Sequence, residues 1–163
     1  MLFRSDGDHD LTRSFEVTQH AQQTVFAALA DQAVDLRGIV LKPSMVISGA
    51  DAADRAGIKE VAQQTLRCLL STVPAAVPGI AFLSGGQSDE EATQHLNTMN
   101  EIGGSLPWAV TFSYGRALQA AAMKRWAGHS DNVESARQVA FHRAQMNGAA
   151  ALGQYSSEME KAA

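Results

Sequence analysis

The sequence predicts an α/β fold in which parallel strands alternate with helices. Two observations lead to this prediction: three short apolar runs each end in a turn, and stretches with helical spacing of apolar residues separate the runs. Long crossovers between successive strands imply parallel pairing. Because ligands bind at the carboxyl ends of parallel strands, we expect the functional groups of this chain where its apolar runs end.

The first half of the chain contains two predicted helices and one predicted strand. Apolar residues at helical spacing predict helices over residues 11–33 and 58–70. Between them, the branched run at 39–41 is typical of a strand buried on both faces, and it ends at Lys42 and Pro43.

The second strand is predicted over residues 80–83, and its end is marked by the glycine-containing turn at 84–86. A helix follows, because Ser88 and Glu91 have the S-x-x-E spacing of a capping box. Acidic residues in the first turn of that helix suit the helix dipole.

The last part of the chain repeats the scheme. A strand over residues 108–112 leads through the turn 113–115 into an alanine-rich helix closed by Gly128. A final helix is expected over 133–150, and residues 154–163 are expected to form a loose tail.

Composition and charge narrow the class of protein. With 163 residues, 45% of them hydrophobic and 18% charged, the chain is expected to form one soluble globular domain. A net charge of -4, from 13 basic and 17 acidic residues, argues against nucleic acid as a partner.

Cys68 is the only cysteine, which excludes an internal disulfide framework and suits a reducing cytoplasm. We find no signal peptide and no membrane-spanning segment, and expect a cytoplasmic protein without a membrane partner.

Residues 83–87 read LSGGQ, the signature of ABC-type ATPases. Such an ATPase also needs a P-loop of the form G-x-x-x-x-G-K-[ST], and this sequence has none. The glycines instead let backbone N–H groups approach an anion, and the helix that follows adds the positive end of its dipole. The alternative is a tight turn that needs glycine only for its dihedral angles.

The next strand end has similar features. Ser113 and Gly115 give backbone access at a helix start, and Arg116 supplies a fork of donors suited to phosphate oxygens. Barrels of the (β/α)8 type often build a phosphate site from two successive strand ends. The alternative for Arg116 is a solvent-facing helix residue, as most arginines are.

Lys42 is the candidate nucleophile. A lysine that follows an apolar run and precedes a proline can be partly desolvated, which favours the neutral amine. A neutral amine attacks a carbonyl and forms a Schiff base, which is an electron sink. The alternative is a lysine that caps the strand and keeps its ammonium in water.

Three stretches together point to one family: GIVLKPSMV at 38–46, FLSGGQS at 82–88 and WAVTFSYGRALQ at 108–119. In this order they closely resemble class I fructose-bisphosphate aldolases, and the match extends from DGDHD at residues 6–10 to GQY at 153–155. The family fold is a (β/α)8 TIM barrel. The resemblance implies that residues 1–163 are the C-terminal part of that barrel, roughly its last three strand-helix units.

The resemblance also implies the roles of the candidate site residues. Lys42, on the sixth strand of the barrel, corresponds to the lysine that forms a Schiff base with the ketone of the substrate. The implied contacts to a substrate phosphate follow the seventh and eighth strands, and they are Ser84, Gly85, Gly86, Ser113, Gly115 and Arg116. The implied reaction is the reversible cleavage of fructose 1,6-bisphosphate, a phosphorylated ketose, to dihydroxyacetone phosphate and glyceraldehyde 3-phosphate, with neither cofactor nor metal.

The aspartates at positions 6, 8 and 10 alternate as they do at the start of an EF-hand calcium loop. That loop needs glycine at its sixth position and glutamate at its twelfth, where this sequence has Leu11 and Val17. By the resemblance, this segment is a structural loop that leads into a helix.

The sequence departs from the family before residue 6. Aldolases have a glutamate pair on the preceding strand, one member of which does acid/base work, and this sequence has MLFRS there. The family's other catalytic lysine and aspartate lie on still earlier strands. Two hypotheses follow: an aldolase part that is impaired alone, working as a homo-oligomer or completed by an N-terminal aldolase half, or a non-catalytic remnant that binds sugar phosphate or associates with intact aldolase subunits.

Overall fold

The computed structural model describes residues 6–162, which form a three-stranded parallel sheet packed against helices. The strands are β1 (Val40–Leu41), β2 (Gly79–Phe82) and β3 (Ala109–Phe112), hydrogen-bonded in the order β1-β2-β3. The helices are α1 (Leu11–Asp31), α2 (Ile58–Thr72), α3 (Asp89–Ile102), α4 (Arg116–Trp126) and α5 (Val133–Ala151). Short 3-10 helices cover Leu36–Gly38, Ser130–Asn132 and Ser157–Ala162. The predicted α/β fold with parallel strands is confirmed.

The core lies between one face of the sheet and the helices. Ile80 and Phe82 of β2 are fully buried on this face and share one apolar cluster with Leu69 of α2 and with Leu96 and Met99 of α3. Alternate residues of a strand point to opposite faces, so these two side chains define the covered face of the sheet. Among the described residues, no helix is long and apolar enough to cross a membrane.

The opposite face of the sheet is open. Val40, Gly79 and Ala109 lie side by side in the strand register and therefore share this face. The side chain of Val40 is 63% exposed, and Ala109 is also exposed. The prediction that the strand at 39–41 is buried on both faces was wrong, because β1 is an edge strand and the described helices cover only one face.

The DGDHD segment folds as a loop that packs against the chain following β1. The carbonyl of His9 accepts from the N–H of Gly49 at 2.9 Å, and the carbonyl of Gly7 accepts from the N–H of Asp51 at 2.9 Å. A Cβ on Gly49 would lie 2.1 Å from the carbonyl oxygen of Gly7, so this close approach requires glycine. Asp10 is the N-cap of α1 and accepts from the N–H of Arg13 at 2.7 Å.

A buried ion pair holds the segment after α5 against the helices. Arg143 and Glu160 have side chains only 6% and 13% exposed, and the guanidinium donates at 2.6 Å to both carboxylate oxygens. Tyr155 donates its backbone N–H to Asn97 Oδ1 at 2.9 Å and its hydroxyl to Glu160 at 3.1 Å. This differs from the loose tail expected from residue 154, because the contacts that order the segment come from residues distant in sequence.

Candidate active site

The carboxyl ends of the three strands meet at one edge of the sheet. The hydrogen-bond ladder continues past each strand: Pro43 accepts from the N–H of Leu83 at 3.1 Å, and Phe82 accepts from the N–H of Ser113 at 2.8 Å. The residues singled out from the sequence lie at or next to these ladder positions: Lys42 precedes Pro43, Ser84 follows Leu83, and Ser113 is itself a ladder residue. The fold therefore brings the three predicted strand ends together, as parallel pairing requires.

Lys42 lies directly after β1 and continues the face of Val40, the open face of the sheet. Its side chain is exposed, and it makes no hydrogen bond or ion pair with another described residue. The desolvation expected from its apolar neighbours is absent, because no described element covers this face. With only the described residues around it, Lys42 matches the alternative given above, a lysine that caps the strand and extends its side chain into water.

The turn after β2 presents backbone to the same edge. Ser84 is buried, and its carbonyl accepts from the N–H of Gln87 at 3.1 Å, which closes the turn. Gly85 adopts the left-handed conformation, with φ of 56°, which explains the need for glycine at this position. We define residues 84–86 as the phosphate turn, after the ligand proposed for it below.

The two helices that follow the phosphate turn and β3 differ at their N-termini. Ser88 and Glu91 form the predicted capping box of α3, and the first turn of that helix holds three carboxylates, Asp89, Glu90 and Glu91. The three carboxylates already lie at the positive end of the helix dipole. The N-terminus of α3 is therefore not available to an anion, which differs from the expectation from sequence. In α4, Gly115 is the N-cap and makes no side-chain capping bond, so the positive end of this helix dipole is not occupied by a capping side chain.

Arg116 connects the two turns. The Nη2 group of its exposed side chain donates to the carbonyl of Gly85 at 2.7 Å. The guanidinium has further donors, and it lies between the phosphate turn and the N-terminus of α4. Arg116 thus links the start of α4 to the turn after β2.

The site lacks an acid/base group among the described residues of the open face. By strand register, the side chains on that face include those of Val40, Lys42, Ala81, Ala109 and Thr111, and none of them is a carboxylate. Tyr114, close to the site in sequence, is buried and donates its hydroxyl to the carbonyl of Ala92 at 2.8 Å. Burial raises the pKa of Tyr114 above its ordinary value, so this phenol does not exchange protons at neutral pH.

Two residues behind the phosphate turn were not singled out from the sequence. Gln87 is buried, and its Oε1 lies 2.6 Å from Nδ1 of His95, which is 1% exposed. The only sequence signal for Gln87 was its place at the end of LSGGQ. The sequence around His95 gave no signal for this contact, because Gln87 lies eight residues earlier, before the start of α3.

His95 makes the stability of the chain sensitive to mild acid. Burial lowers the pKa of His95 from 6.5 to about 4. The neutral form is therefore favoured in the fold, and stability is lost as pH falls from about 6.5 towards about 4. We expect the free energy of unfolding to fall by about 2 kcal/mol between pH 7 and pH 5. Urea titrations at the two pH values measure this difference.

A His95→Asn variant is the control for the acid effect, since it removes the titrating group and keeps a hydrogen-bonding side chain. Its difference in unfolding free energy between the two pH values is expected to be smaller by about 2 kcal/mol. Equal differences in the two proteins would show that His95 is not the group responsible.

Comparisons with known proteins agree with this geometry. The family model "Glycolytic: Fructose-bisphosphate aldolase class-I" matches residues 3–163. The chain is 51% identical over 151 residues to a probable fructose-bisphosphate aldolase class 1 of Xanthomonas campestris, covering 92% of this chain and 45% of that protein. It is 47% identical to fructose-bisphosphate aldolase 2 of Caenorhabditis elegans, covering 94% of this chain and 42% of that protein.

A solved structure agrees as well. The fructose-bisphosphate aldolase of Plasmodium falciparum, crystallised with TRAP and a small-molecule inhibitor, superposes with a TM-score of 0.92 and is 45% identical. The superposition covers 94% of this chain and 44% of that one, so the chain spans less than half the length of the relatives it matches. The chain belongs to the class I fructose-bisphosphate aldolase family and forms a C-terminal part of its barrel.

Proposed function

We propose that this chain takes part in the reversible aldol cleavage of fructose 1,6-bisphosphate to dihydroxyacetone phosphate and glyceraldehyde 3-phosphate, a reaction of glycolysis in the cytoplasm. The observation that supports this most directly is the convergence of three strand ends, which sets Lys42, unpaired among the described residues, beside the glycine-containing turn at 84–86. Family membership supplies the reaction class, and the names of the relatives supply the substrate.

In this proposal Lys42 is the nucleophile. Its amine attacks the carbonyl carbon of the ketone, and loss of water from the resulting carbinolamine leaves a protonated Schiff base. The positive nitrogen then accepts the electron pair released when the bond between the α and β carbons breaks, which leaves an enamine on Lys42. The hydroxyl on the β carbon loses its proton to a base in the same step and becomes the carbonyl of the aldehyde product. Lys42 is suited to this role because it lies on the open face and has no competing ion pair among residues 6–162.

The phosphate of the ketone is held at the neighbouring strand ends. In this proposal, backbone N–H groups of the phosphate turn and of the N-terminus of α4 contact the phosphate together with the guanidinium of Arg116, which already reaches the carbonyl of Gly85. The residues proposed to contact the phosphate are Ser84, Gly85, Gly86, Ser113, Gly115 and Arg116.

The described residues alone should turn over slowly. General acid/base catalysis contributes on the order of 10² to 10⁴ in rate, and none of the described strand residues on the open face is a carboxylate that could provide it. Three strands also leave two open edges and an uncovered face. We propose that an N-terminal aldolase half, or a second copy of this chain, covers that face and that the half supplies the carboxylate.

The absence of a carboxylate also favours a second candidate function. A non-catalytic remnant could keep the phosphate turn and Arg116, bind sugar phosphates and associate with intact aldolase subunits. The two candidates differ in whether Lys42 reacts with a ketone.

Borohydride reduction separates these candidates. The purified chain is incubated with dihydroxyacetone phosphate and reduced, and any added mass is located by peptide mapping. The proposal predicts one adduct, on Lys42. A folded sample without an adduct, or with adducts spread over several lysines, would support the remnant instead.

Arg116 should matter for the phosphorylated ketone only. We expect Arg116→Met to raise the concentration of dihydroxyacetone phosphate needed for half-maximal trapping by at least about tenfold, since charge-assisted hydrogen bonds to phosphate are lost. Trapping of dihydroxyacetone, which lacks the phosphate, should not change.

Arg125→Met is the matched control for this measurement, because Arg125 is an exposed arginine at the other end of α4. It should behave as the unchanged chain does with both ketones. An equal loss for the two ketones in Arg116→Met would place Arg116 outside the phosphate site.

A further inference from the structure

The side chain of Gln87 joins three parts of the candidate site. Its Nε2 donates to the sulfur of Met45 at 3.6 Å, in the segment that follows Lys42. Its Oε1 accepts from Nδ1 of His95 on α3 at 2.6 Å, and its backbone N–H closes the phosphate turn on Ser84. One buried side chain therefore links the lysine segment, the phosphate turn and a core helix.

The chemistry of these three groups sets the direction of the hydrogen bonds. A thioether sulfur accepts but cannot donate, so the amide nitrogen of Gln87 faces Met45 and its oxygen faces the imidazole. Nδ1 of His95 must then carry the proton, and Nε2 is left as an acceptor. That Nε2 is buried and has no hydrogen-bond partner in the described part of the chain. The ring is thus oriented by a single polar contact, the one to Gln87.

Other contacts also hold the phosphate turn, among them the hydrogen bond of 2.7 Å from Arg116 to the carbonyl of Gly85. Gly85 and Gly86 have no side chains to anchor them, and glycine is the residue with the most backbone freedom to lose. Residues on either side of the two glycines are buried, but Gly86 itself is exposed. The polar link from α3 to Gln87 is therefore well placed to hold the turn in one position relative to the segment of Lys42.

We propose that His95 is a positioning residue for the phosphate turn, which it fixes relative to Lys42 through its hydrogen bond to Gln87. The inference rests on the proposed function only in taking phosphate as the ligand of the turn. His95 touches no substrate in this scheme. Burial, which lowers the pKa of His95 to about 4, keeps the imidazole neutral at pH 7, and the oxygen of Gln87 selects the tautomer with its proton on Nδ1.

Amide hydrogen exchange in the ligand-free chain tests the positioning role without any reaction at Lys42. In His95→Leu we expect the amides of residues 85–87 to exchange about tenfold faster, because a hydrogen bond to the turn is lost. His95→Asn should restore near-normal exchange, since its amide nitrogen takes the place of Nδ1. Leu96→Ala, a core change on the same helix, should not accelerate these amides selectively.

A titration with inorganic phosphate, monitored through the NMR chemical shifts of the same amides, measures whether the role of His95 affects anion binding. The apparent Kd for phosphate should rise about tenfold in His95→Leu and return in His95→Asn. If the unchanged chain does not bind phosphate, the proposed function loses its anion site, while the exchange rates still decide the role of His95.

Two results would overturn the inference. One is unchanged exchange at residues 85–87 in His95→Leu, and the other is an acceleration in His95→Asn as large as in His95→Leu. If His95→Leu does not fold, Gln87→Met takes its place, because it keeps the volume of the side chain and removes both polar contacts. Its amides at 85 and 86 should then exchange about tenfold faster, and unchanged rates there would equally count against the role.

Discussion

Replacing Lys42 with methionine is expected to abolish the proposed adduct between this chain and dihydroxyacetone phosphate. Methionine keeps most of the length of the side chain and removes the amine, so no Schiff base can form and borohydride has nothing to reduce. Because Lys42 is exposed and makes no hydrogen bond or ion pair with the residues that the structure describes, the variant should unfold at the same urea concentration as the unchanged chain. Intact-mass analysis after reduction measures the loss, which is expected to be complete.

Lys59→Met provides the matched control, since Lys59 is another exposed lysine, in the first turn of α2. It should form as much adduct as the unchanged chain. Adduct that persists in Lys42→Met would mean that another lysine reacts and would remove Lys42 from the proposed mechanism.

The second large effect is on stability and comes from Glu160. In Glu160→Gln the buried guanidinium of Arg143 loses its counter-charge, and removing one partner of a buried pair typically costs about 3 to 5 kcal/mol. Such a loss is a large part of the total stability of an ordinary domain, about 5 to 15 kcal/mol. We expect a lower midpoint of urea unfolding and faster proteolysis of the segment that follows α5.

The acid behaviour of Glu160 has the same origin. Burial by itself raises the pKa of this carboxyl, but hydrogen bonds from Arg143 and His142 outweigh burial and hold the pKa below its ordinary value. The stabilisation from Glu160 is therefore present above its unfolded pKa of about 4.5 and is lost as pH falls through the lower folded value.

Glu158→Gln is the control for the charge change. Glu158 pairs with Lys161 at the surface, where both side chains are more than two-thirds exposed, at 74% and 73%. Exposed pairs contribute about 0 to 1 kcal/mol, so this variant should unfold close to the unchanged chain. Similar unfolding of the two variants would mean that the Arg143 pair does not stabilise the fold.

Local sequence patterns predicted the elements well because they depend on neighbouring residues. The capping box is an example: the N–H of Glu91 donates to Ser88 at 3.1 Å, and the Glu91 carboxylate accepts from the N–H of Ser88 at 3.3 Å. The spacing of two residue types was enough to find it. The same holds for the apolar runs that became β2 and β3, whose predicted and observed bounds differ by one residue.

Patterns that depend on partners distant in the chain were not predictable. The run at 39–41 has the composition of a buried strand, but Val40 is exposed because no described element covers its face. Residues after 154 lack a helical pattern, yet Tyr155 and Glu160 are anchored by Asn97 and Arg143. The composition of a segment shows only that its residues can be buried. Whether they are buried depends on which elements pack against them.

By itself, the sequence determined the family, the order of helices and parallel strands, and the position of the candidate groups at strand ends, since parallel pairing brings such ends together. Only the tertiary structure decided which face of the sheet is open to Lys42, that α4 rather than α3 has a free N-terminus, and that Arg116 reaches Gly85. It also revealed the contact of His95 with Gln87. These features follow from distances between residues far apart in the chain, and such distances exist only once the chain is folded.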